Sequence, residues 1–236
     1  MRDSLTAMNL FRIKQQLPMV LTVMRHHDDD LLKPKNVKDI LFSVENFHLA
    51  FTAVASQRSS GGISFMYASA ARNLQVAGSP QDKLTVLDNL KQKLKTKRPL
   101  AAEFEARFME LKYSSIFTKQ KNLVRYILTK VYQQNTTGLP IDPEKMTIEH
   151  ISPKNPSKAS GLNNEQSAAI GNLILVDQSL NKELANKSFN EKRLLLQSAN
   201  VWVDAAILNA FNWGAAEIEA RTKLLAAEAY SNVWKI

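Results

Sequence analysis

The sequence predicts a mainly α fold: a helical bundle into which one small strand–loop–strand–helix unit is set toward the C-terminal end. Three features predict it. Apolar residues recur at three-and-four spacing through most of the first 135 positions. The segment TTGLPIDPEKM, starting at Thr136, then gathers one glycine and two prolines. Two short β-like runs, MTIEHI and LILV, follow it. The expected division is a helical domain over 1–140 and a module with C-terminal helices over 141–236.

Along the chain, Val37, Ile40, Leu41, Val44, Phe47, Phe51 and Val54 mark one face of a buried helix running from Val37 to Arg58. RSSGGIS reads as a turn, and FMYASAARNL resumes the helical pattern until Gly78 and Pro80 stop it. Leu84, Leu87, Leu90 and Leu94 define the next helix, whose exposed side carries Lys83, Lys91, Lys93, Lys95, Lys97 and Arg98 until Pro99. Phe104, Phe108 and Leu111 open another, and NLVRYILTKVYQQ is amphipathic. Past the boundary, MTIEHI and LILV read as a hairpin separated by the long polar loop SPKNPSKASGLNNEQSA, a length that often signals function. SLNKELANKSFNEKRLLLQ reads as one helix with Ser179 as its N-cap. Two final helices follow through VWVDAAILNAF and AAEIEARTKLLAAEAYSNVW, with Ile218, Leu225 and Trp234 as packing contacts.

Composition narrows the chemistry. With 44% hydrophobic and 22% charged residues over 236 positions, the chain has enough apolar content for a core. It has no cysteine, which excludes disulfides, thiolate zinc sites and cysteine nucleophiles, so any metal sits on oxygen or imidazole. Thirty-one basic against 22 acidic side chains give a formal charge of +9, which favours a polyanionic partner. The longest apolar runs, such as PMVLTVM, fall well short of the roughly 20 residues a membrane-spanning helix needs. The start has no small-residue cleavage site either, so a cytoplasmic protein is expected.

The chemistry-bearing residues cluster around His150. Phosphodiester hydrolysis needs a base to deprotonate water and a cation to neutralise the developing charge. A histidine with an ordinary pKa of about 6.5 serves as that base. Glu149 points to the opposite side of a regular strand, but at a strand end or bulge both side chains can reach one cavity. One carboxylate and one amide oxygen suffice for Mg²⁺, which keeps several waters.

These residues carry a resemblance. EHISP, then GNLILV, then LNKELANK resembles the ββα-metal (His-Me) finger of HNH endonucleases, and Asn172 to Asn181 matches that family's nine-residue interval. The resemblance implies His150 as general base and Asn172 as a brace that aims the imidazole. It implies Glu149 and Asn181 as ligands of Mg²⁺, or another divalent cation such as Mn²⁺, with Asn186 a fallback ligand or substrate contact. Lys182 and Lys187 would hold phosphate oxygens. More narrowly, EHISP with GNLILVDQSLNKELANKSFNEKR, a late Trp213, IEAR and Trp234 is similar to the C-terminal nuclease region of GmrSD-type and SspE-type restriction proteins, bacterial defence enzymes that cut or nick foreign DNA. The expectations are a magnesium-dependent endonuclease or nickase acting on double-stranded DNA, with a monomer cutting one strand at a time and a homodimer possible. That family also carries an amino-terminal nucleotide-using domain with a DGQQR stretch, which this sequence lacks, so the chain is expected to be part of a longer protein. Asparagine stands where many HNH enzymes have a third histidine, which suits a hard ion. The other readings are a non-catalytic nucleic-acid-binding module and an RNA-directed nuclease.

Other residues carry blander expectations. His26 and His27 before DDD read as surface polarity, His48 as buried packing, and RSSGG as an interhelical turn rather than an anion nest. Lys91, Lys95 and Arg98 form a solvated basic face that, in a nuclease, would contact DNA phosphates.

Overall fold

The computed structural model describes residues 1–56, 61–136, 145–152 and 161–236. The chain forms two compact units, Met1–Phe104 together with Trp234–Ile236, and Glu105–Val233. The expected boundary at 140/141 lies outside the described residues, as do positions 58–60 of the RSSGG turn and 153–160 of the long loop.

The first unit is helical. It comprises α1 (Arg2–Leu10), α2 (Leu17–Asp28), α3 (Pro34–His48), α4 (Gly61–Val76) and α5 (Pro80–Lys97), with α6 (Ala101–Phe108) beginning in it. Prolines 34 and 80 sit in first turns, where a missing N–H costs nothing. The α3 stripe is buried as expected, from Val37 at 0% exposure through Phe47 to Val54. The helix does not run unbroken to Arg58. It widens after His48 into a π-helical stretch over Leu49–Val54, where His48 Nδ1 lies 2.9 Å from Thr52 Oγ1. Three-and-four spacing does not distinguish a wide turn from an ordinary one, because Phe51 and Val54 stay buried in either.

Two polar expectations are corrected here. His26 is buried, its Nδ1 turned back to Thr22 O at 2.9 Å. Lys83 is also buried, because its ammonium donates to Ala77 O at 2.5 Å and so satisfies an orphan carbonyl beyond α4. His48 is buried, as its apolar surroundings implied.

The second unit holds α7 (Lys121–Asn135), β1 (Met146–His150), α8 (Asn164–Ala168), a 3₁₀ turn (Ile170–Asn172) and β2 (Leu173–Asp177). Four α-helices follow, α9 (Gln178–Leu184), α10 (Phe189–Ser198), α11 (Ala205–Leu208) and α12 (Ala215–Glu228), the last continued by a π-helical stretch over Ala229–Val233. The strands pair antiparallel in unbroken register, from Met146 opposite Asp177 to His150 opposite Leu173. Two corrections concern the helices after β2. Asp177, not Ser179, is the N-cap of α9: its carboxylate accepts the N–H groups of Ser179 (2.7 Å) and Leu180 (2.9 Å), while the Ser179 hydroxyl donates to it. The expected single helix is also two, because Ala185 takes φ 37° after α9 and Ser188 with Glu191 forms a capping box that starts α10. VWVDAAILNAF supplies only the four-residue α11. Ile174 and Val176 pack with Leu180 and Leu184 of α9, Leu196 of α10 and Trp213, so these helices cover one face of the hairpin.

Candidate active site

Regular pairing decides where the two central side chains point. Directly opposed residues of an antiparallel pair share a face, so Glu149 lies with Ile174 on the face covered by α9 and α10. His150 lies with Leu173 on the other. The strand carries no bulge over this register, and adjacent side chains therefore diverge.

His150 is only 2% exposed. Its Nε2 lies 3.0 Å from the main-chain carbonyl of Tyr113. A carbonyl can only accept, so Nε2 carries the hydrogen, and in the neutral ring the lone pair is on Nδ1. Tyr113 is delivered by main-chain pairing: its N–H donates to Ala168 O at 2.8 Å, and Ile170 N–H donates to Leu111 O at 2.9 Å. The segment leading to α7 is thereby stitched to the turn leading into β2.

Asn172 is fully buried and fully used. Its Oδ1 accepts the Ser152 N–H (2.8 Å) and the Trp213 indole N–H (3.0 Å), and its Nδ2 donates to Ser152 O (3.0 Å) and Ser167 O (2.7 Å). One amide thus fixes the chain two residues beyond His150 to α8 and to Trp213. Arg221 reinforces the turn from α12, donating to Gly171 O (2.7 Å) and Leu173 O (2.9 Å) while paired with Asp204 (2.8 Å). Gly171 lets α12 approach this closely, since a Cβ there would overlap Ile218 O and Thr222 Oγ1.

Glu149 already holds a cation. Lys192, one turn into α10 and 1% exposed, places its ammonium 2.5 Å from Glu149 Oε1 and 2.7 Å from His150 O. Among the described residues, no three His, Cys, Asp or Glu side chains are grouped to hold a metal. The Glu149 carboxylate, with a positive charge already seated on it, is of the donor type a hard cation takes, and the Asn181 amide on α9 is a second donor of that type. Asn181 is half-buried on α9. Asn186 is not on that helix; it is exposed in the turn after it, because α9 ends at Leu184.

The expected phosphate-binding residues fall in both units. Lys182 is exposed on α9, and Lys187 folds its ammonium onto Glu183 O. Lys91, Lys95 and Arg98 belong to α5 and its C-cap in the first unit, where Lys91 pairs with Asp88 at 3.2 Å.

Sequence reasoning missed Lys192, Tyr113 and Arg221. Lys192 had a signal: the S-x-x-E box at Ser188 fixes the start of α10 and places position 192 on the stripe of Leu196. Tyr113 had none, because it acts through a carbonyl that every residue possesses.

The family model described as GmrSD restriction endonucleases, C-terminal domain, matches residues 99–228, more than half of the chain. No curated protein matches it.

Proposed function

The chain belongs to the GmrSD restriction endonuclease family through its C-terminal domain, and from that premise we propose that it is a divalent-cation-dependent nuclease that nicks foreign double-stranded DNA in the bacterial cytoplasm. The hairpin and α9 act as a ββα-metal finger of the HNH type. His150 is the general base, and the observation that carries this is the Nε2–Tyr113 O bond at 3.0 Å, which orients the ring and fixes the hydrogen on Nε2. Asn172 holds the strand end through its bonds to Ser152, and so sets the direction of the imidazole. A bound Mg²⁺ or Mn²⁺, held by Glu149 and Asn181, would supply charge neutralisation at the scissile phosphate, and because Glu149 and His150 point to opposite faces of the hairpin, the strand end has to rearrange for both to serve one phosphate. At 2% exposure, His150 must be uncovered before it takes a proton from water, so opening of the segment around Tyr113 precedes the chemistry. Lys182 and Lys187 contact phosphates, as do Lys91, Lys95 and Arg98, which makes binding salt-sensitive and poor in sequence preference. One base serves one strand at a time.

Supercoiled plasmid with Mn²⁺ or Mg²⁺ tests this. The wild type converts it to open circles, and His150→Ala lowers that rate by about 10²–10⁴-fold, the range for a lost general base. Intact plasmid with retained gel retardation would instead assign a non-catalytic nucleic-acid-binding module, a reading that the burial of His150 favours. Cleavage of duplex RNA in preference to DNA of equal length would move the substrate class.

A further inference from the structure

The cation already on Glu149 belongs to the chain itself. Lys192 and Glu149 come from α10 and β1, 43 positions apart in sequence, and the ammonium spends two of its three hydrogens on Glu149 Oε1 and His150 O. Nothing in the nuclease reading uses this lysine, yet it sits on one of the two carboxylate oxygens to which a divalent ion would be drawn. A divalent ion and an ammonium drawn to one carboxylate repel each other, so each weakens the other's hold on Glu149. The two members of the pair also differ in access: the Glu149 side chain is 11% exposed and that of Lys192 is 1% exposed, so solvent reaches the acid first.

We infer that Lys192 is a positioning residue, the resident counter-cation of Glu149, and that it and a divalent ion are alternative occupants of the carboxylate. Without the ion, Lys192 neutralises a buried acid that would otherwise be costly to keep charged. Loading the ion turns the ammonium away. The same ammonium bonds His150 O, so its departure also loosens the strand end that carries the imidazole. This rests on the nuclease reading only in taking Glu149 as the ion's ligand.

The test is Mn²⁺ alone on the full chain, with no DNA. An amine-reactive label read by peptide mass spectrometry is expected to find Lys192 among the least modified lysines without Mn²⁺ and modified severalfold more with it. Mn²⁺ affinity by calorimetry is expected to rise roughly tenfold in Lys192→Met, within the range for two coupled sites, and to be lost in Glu149→Gln. A lysine with only a structural role does neither, and its removal would weaken Mn²⁺ binding. The inference is overturned if Lys192 stays protected at saturating Mn²⁺, if binding persists in Glu149→Gln, or if neither wild type nor Lys192→Met binds Mn²⁺. If Lys192→Met does not fold, wild-type labelling decides alone. Plasmid nicking separates the two readings. Nicking with Lys192 protected removes this inference only, whereas Mn²⁺-dependent labelling without nicking removes the nuclease reading only.

Discussion

Replacing Asn172 by alanine removes four hydrogen bonds at once, those to Ser152 N and O, Ser167 O and the Trp213 indole. Ser152, Ser167 and Trp213 are 4%, 3% and 6% exposed, so water does not readily replace the lost partner. Each orphaned buried group costs about 1–3 kcal/mol, and even the lower bound for each gives a loss of about 4 kcal/mol. For the 129-residue unit Glu105–Val233, at about 4 °C per kcal/mol, the melting transition falls by about 15 °C. Two companions order the effect. Trp213→Phe removes a single donor and should cost about 1 kcal/mol. Asn172→Asp keeps the acceptor but turns an acceptor onto two carbonyls, and should be no milder than alanine. Differential scanning calorimetry of the three variants checks the order. An alanine variant within about 1 kcal/mol of wild type, or an aspartate variant milder than alanine, would refute the account of Asn172 as a buried brace.

Two further outcomes follow from buried groups elsewhere. Gly171→Ala should cost about 3 kcal/mol through overlap with Ile218 O and Thr222 Oγ1; an unchanged thermal midpoint would mean that α12 yields freely. Burial lowers the pKa of His48 from 6.5 to about 4, and Tyr67 Oη lies 3.0 Å from its Nε2. The unfolded chain therefore binds the proton first, and stability is full above pH 6.5 and falls as pH drops toward 4, by up to about 3 kcal/mol at 1.36 kcal/mol per pKa unit. Urea titrations at several pH values should show that slope, and His48→Gln should flatten it.

What was legible in the sequence was what side-chain type and spacing encode. The α3 stripe, the stop at Gly78 and Pro80, the hairpin and the amphipathic α7 all rest on apolar periodicity or punctuation, and each stands in the fold. What failed was local competition between hydrogen-bond acceptors. Ser179 looked like a cap, but Asp177 lies two residues nearer the strand, and its carboxylate takes both N–H groups. SLNKELANKSFNEKRLLLQ looked continuous, but the Ser188–Glu191 box outcompetes continuation through Ala185. Around His150 the residues were legible and their partners were not. A buried lysine reads as surface until its helix face is known, and the Tyr113 carbonyl leaves no mark at all.

The partners give the site its character. Both groups that hydrolysis would use are held by hydrogen bonds, His150 by a carbonyl and Glu149 by an ammonium. A site closed by apolar packing opens only at the cost of exposing buried area, about 25 cal/mol for each Å². A site closed by hydrogen bonds opens when equivalent partners arrive, because the net worth of each bond is only about 0.5–1.5 kcal/mol, or about 1.5–3 kcal/mol where one member is charged. On the proposed nuclease reading, a polyanion and its cations would bring such partners: phosphate oxygens would compete for the ammonium, and a divalent ion for the carboxylate. On the nuclease reading, exchange of partners would free Glu149 without moving the core, whereas His150, at 2% exposure, also needs the segment around Tyr113 to open.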